Sequence, residues 1–465
     1  MHRAFGWALV VCVGCASTSP AAPPDGASFD AGDHDGGVLA DTAPDLGTLL
    51  GAAGLDVAPG SLESLDLTGC CDPGRSCAGN NPSSPYLTVF VPRGPGQTEP
   101  STGERADGRA AQFRLRADEA IVIVGTTPPP AAYFGLTPYL MSRQDPGATR
   151  RREPFASLGE TLNDEVIEVN GASAFGVPFA AIATGDATTD RTIRGVLETL
   201  GLRANTVTFD PSVVRFGLED GADEVGLLFR YALPDDAAAG AAWVESPGAT
   251  VLRVTPRTSH ADALPAPSAR AKGTTVEEAS LTAALDRLEA AVRAAHSSRT
   301  IRDLTVTDEP PDPTACIAGT AVCAGDNRDT VYPRTPPFVL GRTDDVYVLG
   351  VDHTVTHHAT YANASVYSVE HLAGLVSVTS RTWSGSASEW LPGDPDASSL
   401  FVWRISRDCG TDAHCLAVPT TECPTGASYA TLLDIAFRAY LEPGTGTGPS
   451  PSTLILERAL LVQGP

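Results

Sequence analysis

Basic side chains are scarce in this chain. Lys272 is the only lysine among 465 residues, and 32 lysines and arginines stand against 56 aspartates and glutamates, a net charge of −24. An acidic surface of this kind repels phosphate backbones, which excludes nucleic acid as a partner. The one basic run, Arg150-Arg151-Arg152, lies between Gly147 and Pro154 and reads as a solvated loop. Apolar runs of the roughly 20 residues that a membrane helix needs are also missing. So are the short signatures GxSxG, HExxH, the Walker loop and GxGxxG, which removes the common sequence signals for catalysis. What remains is a chain 42% hydrophobic and 19% charged, globular in balance and large enough for more than one core.

The first fifteen residues form a leader. Arg3 supplies its charge, and Trp7 to Val13 supply an apolar run of signal-peptide length, too short to span a bilayer. Cys12-Val13-Gly14-Cys15 resembles the lipobox of bacterial lipoproteins, with Gly14 and Cys15 matching and Cys12 departing from the usual leucine. The resemblance implies that residues 1–14 are a signal peptide and that Cys15 becomes the acylated N-terminus. Several acyl chains on one residue would anchor the protein to a lipid bilayer. Ser17, where an aspartate would signal retention, implies the outer membrane of a Gram-negative cell. Residues 15–66, rich in Ala, Gly, Pro, Ser and Asp, have little to bury and read as a disordered acidic tether. Asp33 and Asp35 lack the further aspartate of a calcium loop, since residue 31 is Ala31.

Cys12 leaves with the leader and Cys15 carries lipid, so eight cysteines remain in the body. An even number in an exported chain, with no CxxC pair at zinc spacing, predicts disulfides. The expected pairs are Cys71–Cys77, Cys316–Cys323, Cys409–Cys415 and Cys70–Cys423.

The body reads as a duplication. Cys77-Ala78-Gly79-Asn80-Asn81 and Tyr86 recur as Cys323-Ala324-Gly325-Asp326-Asn327 and Tyr332 at the same offset. Phe113 opens FRLRADEAIVIVG and Phe338 opens FVLGRTDDVYVLG, and Tyr133/Tyr139 recur as Tyr361/Tyr367. Four matches in one order define two units. In the first, a strand over 179–183 leads to a helix over 189–200, with further strands over 213–218, 224–233 and 250–254. In the second, a strand over 400–405 leads to a helix over 428–441, whose stripe is Tyr429, Leu432, Leu433, Ala436, Phe437 and Tyr440. Between the units, Thr275 and Glu278 form a capping box ahead of Leu281, Leu285, Leu288 and Val292, a helix that docks on the body. The fold class is therefore α+β: two duplicated, disulfide-stabilised mixed α/β units, 67–260 and 313–465, joined by a linker and helix over 261–312.

Two clusters are candidates for chemistry. In an extended segment, His353 and His357 share one face and His358 the other, a zinc- or copper-ligating pair with Asp344, Asp345 or His371 as a third ligand. The blander reading is a polar strand edge. Tyr133, Tyr139, Tyr361 and Tyr367, spaced by six, lie pairwise on one strand face, either as core or as an aromatic platform for sugars. Together these readings describe a lipid-anchored extracytoplasmic protein with a binding or structural role toward an envelope protein or glycan. The alternative is a metal-dependent hydrolase built on His353, His357 and His358.

Overall fold

A computed structural model describes residues 43–72, 77, 80–273, 278–308 and 312–464. The leader, Cys15, Thr275 and most of the acidic tether lie outside the described residues.

The first unit contains strands β1 (Leu55–Pro59), β2 (Ser61–Ser64), β3 (Tyr86–Pro92), β4 (Ala120–Thr126), β5 (Ala131–Ser142), β6 (Ala156–Ser157), β7 (Pro178–Thr184), β8 (Ala204–Thr208), β9 (Glu224–Pro234) and β10 (Thr250–Pro256). The second contains β11 (Ile301–Leu304), β12 (Thr307–Asp308), β13 (Pro333–Arg334), β14 (Asp345–Val351), β15 (Tyr361–Ser368), β16 (Ala373–Thr379), β17 (Leu400–Ser406), β18 (Cys415–Ala417), β19 (Leu432–Tyr440) and β20 (Arg458–Val462). The outer sheet of the first unit has the order β1-β10-β4-β7-β8, and that of the second β11-β20-β14-β17-β18. The inner sheets read β2-β3-β9-β5-β6 and β12-β13-β19-β15-β16. Along these paths each strand of the second unit repeats the strand ten places before it; the short strands Arg109–Ala110, Leu162–Asn163 and Phe338–Val339 pair beside them. The outer sheets even share their one parallel pairing, β7 with β8 and β17 with β18. The body is mixed α and β, mostly sheet with few helices.

Burial of both faces of the outer sheets explains the apolar runs at 120–124 and 346–351. Ile121 and Ile123 point inward with Phe134, Leu136, Leu227 and Phe229 of the inner sheet. Ala120, Val122 and Val124 point outward, beneath α1 (Ala43–Ala52) and α2 (Ala187–Thr199). In the second unit Val346 and Val348 face Phe437 and Ile435, while Tyr347, Leu349 and Val351 lie outward. There, after α3 (Ala237–Glu245) on the first unit, α4 (Thr282–Ala295) lays down Leu285, Leu288 and Val292, as the sequence stripe required. It precedes β11 as α1 precedes β1, so the connecting helix is the second unit's copy of α1.

Three expectations are corrected. Residues 43–64 belong to the body rather than the tether, because Leu46, Leu50 and Leu55 are buried against the outer sheet. The segment expected as a helix over 428–441 is strand β19. Leu433, Ile435 and Phe437 enter the sandwich core, while Ala436 and Tyr440 on the opposite face are also buried, and this double burial imitated a helical stripe. The strand expected over 213–218 is a loop, closed by Asp210 accepting from the amide and hydroxyl of Ser212. Asp186 caps α2 through the Thr189 amide, where the sequence pattern placed a helix. Among the described residues, no helix is long and apolar enough to cross a membrane.

Candidate functional site at the interface between the units

The inner sheets turn their second faces toward each other. Odd positions of β5 and β15 supply Tyr133, Tyr139, Tyr361 and Tyr367, so all four expected tyrosines fall at one interface, all of them buried. This is a core, and the reading as an exposed sugar platform is corrected. Tyr361 stacks on Tyr440 with centroids 4.7 Å apart, and Tyr133 lies 4.8 Å from Tyr440. The Tyr133 hydroxyl donates to Asp329 Oδ2 at 2.9 Å, and Asn163 Nδ2 donates to the same oxygen. Burial raises Asp329 to about 6 and holds Tyr133 well above the ordinary phenol range.

Each unit also lends a cysteine-bridged loop to the other. The backbone amide of Cys77 donates to His371 O at 2.7 Å, and Asn80 exchanges two hydrogen bonds with Gly374. In the reverse direction, Gly325 N donates to Phe155 O, and Asp326 accepts from the amide and hydroxyl of Ser157. Tyr139 donates its hydroxyl to Asp326 O, and Tyr367 donates to Asn80 O. Gly325 adopts φ +83° with the Phe155 ring where a Cβ would stand, which is why the repeated loop carries glycine here.

Around these loops, each unit holds an arginine that the sequence analysis did not single out. Arg230 of β9 lies 5.0 Å from the Tyr86 ring centroid and 5.5 Å from that of Tyr139. Arg438 of β19 lies 5.8 Å from Tyr332 and 5.4 Å from Tyr367. The Phe-Arg dipeptides Phe229-Arg230 and Phe437-Arg438 were the available signal. A cavity of about 70 Å³ opens beside Arg438, lined by Tyr86, Tyr332, Tyr367, Arg334 and Asn80 among others. Larger clefts lie at the sheet edges, one of about 370 Å³ beside β8 and one of about 890 Å³ beside β18.

The disulfides bear on the same interface. Cys316–Cys323 and Cys409–Cys415 form as expected. The other two are exchanged: Cys70 pairs with Cys77, and Cys71 with Cys423. The Cys70–Cys77 separation of seven residues is that of Cys316–Cys323, so the repeat matches Cys70 rather than Cys71. Cys71 is thereby left to tie the first unit to the second. Cys70, Cys71 and Cys77 are the one group among the described residues with metal-binding geometry, and all three are oxidised.

The histidines do not converge. Residues 353–356 form a turn on Asp352, whose carboxylate accepts from the Thr354 amide and hydroxyl, so the alternation of an extended strand is lost. His357 is exposed with φ +63°, and His358 is buried 3.8 Å from Glu442. His353 is held between Glu278, 2.8 Å from Nδ1, and Glu457, 3.4 Å from Nε2. Burial pushes this imidazole down, but the two carboxylates outweigh it and raise the group to about 10. An imidazolium cannot ligate a metal. Of the third ligands envisaged, Asp345 pairs with Arg299 and Arg404, Asp344 accepts from Gly341 and Gly464, and His371 lies 3.9 Å from Glu370. The metal reading of His353, His357 and His358 is corrected on this geometry.

No family model and no curated protein matches the chain. Among solved structures, it is similar to an uncharacterized protein from Burkholderia cenocepacia, with 13% identity over 91% of this chain and 89% of that one and a TM-score of 0.40. The tandem CBM22-1-CBM22-2 domain of Paenibacillus barcinonensis Xyn10C aligns at 9% identity over 88% and 94% of the two chains, with a TM-score of 0.13.

Proposed function

We propose that the protein is a lipid-anchored extracytoplasmic lipoprotein, held at the outer membrane of a Gram-negative cell through acylated Cys15. Its body serves a binding or structural role toward an envelope protein or glycan. The observation that supports this most is the oxidation of all eight body cysteines into four disulfides. Cytosolic glutathione and thioredoxin keep thiols reduced, whereas exported chains retain such bridges. The lipobox-like Cys12–Cys15 segment and the acidic stretch after it agree with an anchor followed by a spacer. The buried, protonated His353 speaks for a structural use of the histidines rather than hydrolysis.

Labelling cells with radioactive palmitate tests the anchor. Label should enter the full-length chain and be lost in Cys15→Ser, which should move to the soluble envelope fraction. Label persisting in the variant, or eight freely alkylated body thiols in the wild type, would refute the proposal.

A further inference from the structure

Among the described residues, two guanidiniums at the interface, Arg230 and Arg438, lack a carboxylate partner and keep unpartnered nitrogens. Arg230 is 1% exposed, its Nε has no hydrogen-bond partner, and among the described residues no carboxylate lies within ion-pair distance of it. Its other nitrogens donate to Thr137, to the Tyr139 hydroxyl and to Gly325 O. Arg438 likewise makes no ion pair among the described residues, and its Nη1 is buried and unpartnered. Arg334, the third guanidinium, is paired with Asp434. Asp326 is the other carboxylate nearby, and it is occupied by Ser157. Arg230, Arg334 and Arg438 thus have Asp326 and Asp434 as nearby carboxylates, while Asp329, the third interface carboxylate, is taken by Tyr133, Asn163 and, at 3.9 Å, Arg270. The tyrosines cannot supply the missing charge, because burial keeps Tyr332, Tyr367 and Tyr139 protonated. They stay neutral, and Tyr139 and Tyr367 already donate to Asp326 O and Asn80 O.

A buried cation without a partner is costly, and ring faces offset only part of that cost. Arg438, Arg334, Tyr86, Tyr332 and Tyr367 meet at the cavity of about 70 Å³. One water needs about 10–15 Å³ by a comparable measure, so the space suits a group of several heavy atoms. We propose that this cavity is a binding site for a small oxyanion, either a tetrahedral phosphate or sulfate or the carboxylate of a small acid. Arg438 supplies the charge-assisted bond, and Tyr86, Tyr332 and Tyr367 supply the rim. The site is made by both units, so an anion bound there also holds them together. It does not depend on Cys15, and its failure would leave the anchor proposal untouched.

Calorimetric titration of the oxidised mature chain with sodium phosphate, sulfate or acetate, against sodium chloride at equal ionic strength, tests the site. At least one oxyanion should saturate a single site and raise the melting temperature, and Arg438→Gln should weaken it at least tenfold. Phosphate or sulfate outcompeting acetate identifies a tetrahedral ligand, and the reverse order a carboxylate. Should Arg438→Gln lose its fold by circular dichroism, Tyr332→Phe takes its place with the same expected direction. No saturable heat from any of the three anions, an equal response to chloride, or unchanged affinity in the folded variant overturns the site.

Discussion

Replacing His353 with alanine lowers the stability of the body by about 3–5 kcal/mol, as expected when one member of a buried ionic cluster is removed. The imidazolium lies between two buried carboxylates, Glu278 and Glu457. Glu278 also accepts from the Thr356 hydroxyl and the Ile455 amide, so it cannot turn away to water when its partner goes. The variant leaves two carboxylates in an apolar setting with no cation between them. Adding Glu278→Gln and Glu457→Gln should recover part of the loss, because neutral amides carry a smaller desolvation cost. Urea unfolding of the three proteins measures this. Curves for His353→Ala and wild type that agree within about 0.5 kcal/mol would contradict it. A pH signature accompanies the effect. His353 titrates near 10 when folded and near the ordinary 6.5 when unfolded, so the native state binds the extra proton. Its contribution is complete below about pH 6.5 and disappears as the pH climbs through about 10. Wild-type stability should fall across that window, and the His353→Ala profile should lack that component.

Removing the Cys71–Cys423 bridge should be the most damaging disulfide change. The bond joins residues 352 positions apart, whereas the other three close loops of six or seven. Loop-closure entropy gives the long bridge about 5–6 kcal/mol as an upper value, against about 2–2.5 kcal/mol for a short one. Cys71→Ser with Cys423→Ser leaves no odd thiol, since Cys70 stays paired with Cys77. The double variant should melt well below one that lacks Cys409–Cys415. Equal or higher melting would mean that the long bridge does not restrict the denatured chain as the loop-closure argument requires.

Much of this architecture is legible in the sequence because duplication repeats its punctuation. The six-residue spacing of Tyr133 and Tyr139, and of Tyr361 and Tyr367, places each pair on one strand face, as period-two geometry demands. What they face was not legible, since a strand cannot declare its neighbour. Strand β19 was hidden by double burial, which erases the polar alternation that marks a half-exposed strand. Arg230 and Arg438 were hidden by unequal insertions, which place them at different distances from Tyr139 and Tyr367. His353 was misplaced because the carboxylate of Asp352 competes locally for the backbone and bends the segment into a turn.

The mutual lending of cysteine loops has a consequence for biogenesis. While the chain is being made, the first half reaches completion before the residues around Gly325 exist to fill its groove beside Phe155. During that interval its tyrosine face stays open, and its own loop has no dock. A second copy of the chain offers the same loop to the same groove, so an entwined dimer is the misassembly this geometry allows. The Cys71–Cys423 bridge ties both halves within one chain.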